Sequence, residues 1–69
     1  LHVERAEKHE RASETHREAA QRHDEAAEFW EEHGEFEAAE LERRNARIER
    51  DAGELERDRA RWHRGRRQE

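Results

Sequence analysis

The sequence predicts an all-α fold, an antiparallel two-helix hairpin of coiled-coil type that forms a four-helix bundle by dimerisation. Three observations carry this reading. Two columns of residues repeat every seven positions, one in each half of the chain. Gly34 stands between them, and glycine readily takes the left-handed conformation that ends a helix. Proline is absent, and Ala, Glu and Arg, all strong helix formers, dominate the composition.

The first column is His2, His9, His16, His23 and Trp30. Ala12, Ala19 and Ala26 lie three positions after the histidines, and Ala6, Ser13, Ala20 and Ala27 four after. On a helix these positions share one face. The rest of the segment is mostly Glu, Arg, Gln and Lys. The spacing predicts a helix over about residues 3–33.

The second column is Leu41, Ile48, Leu55 and Trp62, with Ala38, Asn45, Ala52 and Arg59 three residues before each. It predicts a helix over about 36–63, followed by a frayed basic tail, 64–69. A short link between long helices makes them antiparallel neighbours. The first helix carries small residues and the second carries bulk, so the expected packing sets large against small. In that register His23 falls near Asn45 and Ile48, His16 near Ala52 and Leu55, and His9 near Arg59 and Trp62. Phe29, Trp30, Phe36 and Leu41 would cluster at the closed end. Thr15 with Glu18 and Asp51 with Glu54 resemble capping boxes. Both heptad columns run through them in phase, so continuous helices are expected, with a local weakness at Gly53.

The whole chain, 1–69, is one small domain. Charged residues make up 51% of it and hydrophobic residues 29%. Eleven of the hydrophobic residues are Ala. The large ones are Leu1, Val3, Phe29, Trp30, Phe36, Leu41, Ile48, Leu55 and Trp62. That is a thin stock for a monomer, and chains this small usually need a staple. With no Cys there is neither a disulfide nor a Cys-based zinc site. The expected staple is association with a second copy or another helical protein, through Trp30, Phe36, Leu41, Ile48, Leu55 and Trp62.

Charge is unevenly spread. Residues 24–42 hold nine acids and no Lys or Arg, whereas 43–69 hold ten Arg against six acids. The closed end is acidic and the open end basic, which favours antiparallel pairing of two hairpins. The excess of Arg over a single Lys, with abundant Ala, matches a high-GC bacterial composition.

Two alternative functions arise from the same residues. The histidines suggest a divalent metal site for zinc, copper or nickel at His9, His16 and His23. Positions seven apart on one helix are about 10.5 Å apart in rise, so these histidines share a metal only across a symmetric interface. Buried in such a seam, the same imidazoles would repel one another on acidification. The Arg-rich end, with Arg61, Arg64, Arg66 and Arg67, suggests contact with nucleic acid. No catalytic motif or nucleotide-binding motif occurs, so no enzyme and no cofactor is expected. No apolar run reaches membrane-spanning length, and a cytoplasmic location without membrane partners is expected.

Overall fold

The structure, a computed structural model, describes residues 1–66. It is all-helical: α1 spans His2–Glu32 and α2 spans Phe36–Arg64. The helices pack side by side along a rod with extents of 55 × 12 × 9 Å.

The reversal is built by backbone chemistry at Gly34. Its φ of +75° is in the left-handed region. That places the Gly34 N–H on the Glu31 carbonyl at 3.0 Å and the Glu35 N–H on the Trp30 carbonyl at 2.9 Å. This pair of bonds is the Schellman arrangement, which satisfies carbonyls that the end of a helix otherwise leaves unmatched. Neither capping-box sequence starts a new helix. Thr15 instead donates back to the Arg11 carbonyl at 3.1 Å within α1, and α2 continues through Asp51, Gly53 and Glu54.

The contact between the helices is made of small residues on both sides. Ala6, Ser13, Ala20 and Ala27 are buried on α1. Ala39, Ala46, Gly53 and Ala60 are buried on α2, together with His63. The Ser13 hydroxyl donates to the Gly53 carbonyl at 2.9 Å. This bond fixes the register, and in it Ala20 is level with Ala46, Ala27 with Ala39 and Ala6 with Ala60. Small contact residues let helix axes approach closely.

This corrects the large-against-small packing expected within the hairpin. Leu41, Ile48, Leu55 and Trp62 do not face α1; they are 61%, 66%, 50% and 51% exposed. Leu41 follows the buried Ala39 by two residues, about 200° around a helix with 3.6 residues per turn. The whole column is therefore on the side of α2 turned away from α1. The physical reason lies in the neighbouring columns. Ala and Gly on α2 permit a closer approach than Leu or Ile would, and that approach brings the polar edges of the two helices into hydrogen-bonding range.

Candidate interaction surface

Two polar edges flank the small-residue contact. On one, each imidazole Nδ1–H donates to a carboxylate of α2. His23 bonds Glu42 at 2.7 Å, His16 bonds Glu49 at 2.6 Å, and His9 bonds Glu56. The expected neighbours of these histidines, Asn45, Ile48, Ala52, Leu55, Arg59 and Trp62, are displaced by this register. The imidazoles on these three rungs face carboxylates of α2 within the hairpin. The bond from His9, helped by Arg59, holds the Glu56 carboxyl below its ordinary range.

The last rung on this edge is different. His2 Nδ1 lies 2.9 Å from His63 Nδ1, and the His9 ring stacks on His63 with centroids 5.4 Å apart. Burial first, and then the positive charge that His2, His9, Arg5 and Arg66 supply, push the His63 imidazole below its usual pKa.

The opposite edge pairs Arg on α2 with acids on α1. Arg43 bonds Glu31 and Arg50 bonds Asp24. Arg64 makes a two-point contact with Glu10 at 2.7 and 2.8 Å, the forked geometry that suits guanidinium to carboxylate.

With the small-residue line and most of both edges holding the hairpin, the largest remaining feature is the outer face of α2. Leu41, Ile48, Leu55 and Trp62 run along it, spanning about 31 Å at 1.5 Å per residue. Ala38, Asn45, Ala52 and Arg59 stand three residues before them, completing an a/d heptad seam. The half-buried Ala38 and Ala52 join this seam to the His–Glu edge, and the half-buried Ala12, Ala19 and Ala26 extend the same broad face onto α1.

Trp30 and Phe36 belong to the closed end. The Phe29 ring meets Trp30 edge-on, with centroids 5.2 Å apart, and lies 4.3 Å from His33. Phe36 is largely exposed, as is Leu41, and among the described residues Phe36 makes no ring contact with this pair. The expected four-residue cluster is thus reduced to Phe29 and Trp30, because the turn leaves Phe36 at the outer start of α2.

The other candidate residues are placed as follows. His9, His16 and His23 stand on separate rungs, and among the described residues no three His, Asp or Glu side chains converge to hold a metal ion. Arg61 pairs with Asp58 and Arg64 with Glu10. Arg66 lies over the Trp62 ring, 3.9 Å from its centroid. Arg67 lies outside the described residues. No helix among the described residues is long and apolar enough to cross a membrane.

Sequence reasoning missed the carboxylates that receive the histidines. Glu42, Glu49 and Glu56 repeat every seven residues, as do Ala39, Ala46, Gly53 and Ala60. Both signals were present in the sequence, overshadowed by the larger apolar side chains one and two positions away. Comparison with protein-family profiles, with curated proteins and with solved structures finds no match.

Proposed function

We propose that the protein is a small non-enzymatic interaction module that self-associates through the outer seam of α2, two hairpins forming a four-helix assembly. The observation that carries this is the complete a/d heptad of Leu41, Ile48, Leu55 and Trp62 left exposed on a hairpin with no fully buried large side chain. A continuous exposed apolar strip of this kind marks an association site.

The pattern favours a second copy in antiparallel orientation. In an antiparallel pair each a residue shares a layer with a d residue of the mate. A dyad near Arg50 then sets Ile48 against Ala52 of the second copy, Leu55 against Asn45, Trp62 against Ala38 and Leu41 against Arg59. Every layer combines one large residue with one small or polar one. Parallel pairing would stack Arg59 on Arg59 and Ala on Ala, leaving layers alternately crowded and empty.

The flanks add to this. Antiparallel pairing brings Arg44 near Asp58 of the second copy, twice by symmetry, with Asp51 meeting its like at the dyad; on the other flank Glu49 meets its like and Glu42 meets Glu56, carboxylates that His16, His23 and His9 already bond within each hairpin. It also sets the acidic closed end of one hairpin beside the basic open end of the other.

The test is sedimentation equilibrium with site-directed cross-linking. The wild type is expected to sediment as a dimer, and Ile48→Asp with Leu55→Asp as a folded monomer of unchanged helicity. Ala38→Cys protein mixed with Trp62→Cys protein is expected to form the mixed disulfide in preference to either self-linked product. A wild-type monomer at high concentration, or a mass indifferent to the two Asp substitutions, sinks the proposal. Preferential self-linking of Trp62→Cys overturns the orientation alone.

A further inference from the structure

The Arg–acid edge has one rung that breaks its own pattern. On α2 the column reads Arg43, Arg50, Arg57 and Arg64, all cationic. The matching column on α1 reads Glu31, Asp24, Arg17 and Glu10. Three rungs are ion pairs. The fourth sets Arg17 opposite Arg57, and like charges in register oppose the pairing of the helices.

The same level of the hairpin carries a second departure. Elsewhere along the described contact, Ala on α1 is level with Ala on α2; here Ser13 meets Gly53. Beside this pair lies a hollow of about 190 Å³ between the helices, lined by Ser13, Arg17, Arg50, Gly53, Glu54 and Arg57. With roughly 30 Å³ per water molecule in the liquid, it has room for several waters or for one anion of phosphate size.

The donors around the hollow are not all used. Arg50 is held by Asp24. Arg17 makes a loose ion pair with Glu14 at 3.6 Å, both side chains being mostly exposed, which leaves most of its N–H donors without a hydrogen bond. Among the described residues Arg57 makes no ion pair or hydrogen bond. Arg17 and Arg57 thus line one hollow together, with Glu54 the one carboxylate in its lining.

We infer that the Arg17–Arg57 rung over the Ser13–Gly53 hollow is a binding site for a small tetrahedral oxyanion of the phosphate class. Guanidinium matches such an anion with paired N–H donors, and an anion between the two arginines turns a repulsive rung into a bridged one. Occupancy would then tighten the hairpin at its midpoint. The site is on the edge away from the outer seam of α2, so it does not depend on self-association.

The experiment compares inorganic phosphate with chloride at matched ionic strength, at low millimolar phosphate where general salting effects are small. Phosphate is expected to broaden its own 31P resonance on addition of the protein and to raise the melting temperature by a few degrees. Arg17→Glu supplies the missing acid opposite Arg57. It is expected to melt higher than wild type in chloride and to lose both phosphate responses. Arg17→Lys keeps the charge but not the fork, and is expected to retain a weakened response. Absence of line broadening with wild type, or equal broadening with Arg17→Glu, overturns the site. A response that chloride reproduces at equal ionic strength reduces it to screening and overturns it as well.

Discussion

The two faces of α2 make opposite use of side-chain size. The inward face meets α1 through Ala39, Ala46, Gly53 and Ala60, and the outward face carries Leu41, Ile48, Leu55 and Trp62. Holding α1 against α2 is an intramolecular problem. The turn at residues 33–35 keeps the ends together, so closing the hairpin costs little loop entropy. Close approach and matched polar edges then serve where apolar area is small. Joining two separate chains is harder, because association costs several kcal/mol or more in lost translational and rotational freedom. Large side chains are where that cost can be met, and they are on the face that points outward.

The largest test of this contrast exchanges the two kinds of residue. Ala46 is fully buried against α1. Replacing it with Leu inserts volume where the helices are closest, and over-packing of that kind costs about 1–3 kcal/mol. The forced separation would also stretch the His–Glu rungs on either side. Ile48→Ala should behave differently with concentration. In a dilute, dissociated sample its effect should stay within about 0.5 kcal/mol, as for an ordinary surface change. In an associated sample it should cost about 2–5 kcal/mol. Denaturant melts of both variants at two protein concentrations provide the measurement. If Ala46→Leu is neutral while Ile48→Ala is costly even when dilute, the two faces have been assigned the wrong way round.

The all-helical chain and the position of its reversal were legible in the sequence because each rests on local chemistry. Helix formers fill both segments, and Gly34 is the one residue near the middle suited to a positive φ. The contact face was harder to read because α2 carries two seven-residue columns that compete for the same role. Leu41 and its fellows have the larger hydrophobic signal, and in an isolated helix that signal would decide. What decides here is a property of two helices together: Ala and Gly admit close approach, and only close approach lets His9, His16 and His23 reach Glu56, Glu49 and Glu42. The candidate surface was legible as a set of residues but not as a direction, since a heptad column says which residues share a face and not what that face meets.

A smaller effect tests how tightly the inward face is closed at its one glycine. A Cβ at Gly53 would stand 3.4 Å from the Ser13 carbonyl oxygen and 3.5 Å from the His16 Cβ. These are ordinary contact distances, so alanine fits without moving α1. Alanine also favours the helix over glycine by roughly 0.8–1 kcal/mol. Gly53→Ala is therefore expected to stabilise the hairpin by about 0.5–1 kcal/mol in a denaturant melt. A destabilised variant would mean that α1 and α2 approach more closely at Ser13 than these distances allow.

The smallest effect is the pH dependence, since the groups concerned lie at partly exposed edges where solvent screens their interactions. Two groups set its sign. The Glu56 carboxyl is held below 4.5 by its bonds to His9 and Arg59, so its contribution is present above 4.5 and is lost as pH falls through the lower folded value. His63 is held below 6.5 by burial and by His2, His9, Arg5 and Arg66 around it. Below 6.5 the unfolded chain takes up that proton more readily than the folded one, so stability declines from there downward. The melting temperature is therefore expected to fall in two stages on acidification, the first beginning near 6.5 and the second near 4.5. His63→Gln is expected to flatten the first stage and Glu56→Gln to diminish the second, each leaving the other in place. A melting temperature that rises steadily on acidification down to 4.5 would show that the His63 imidazole does not set the sign of the profile.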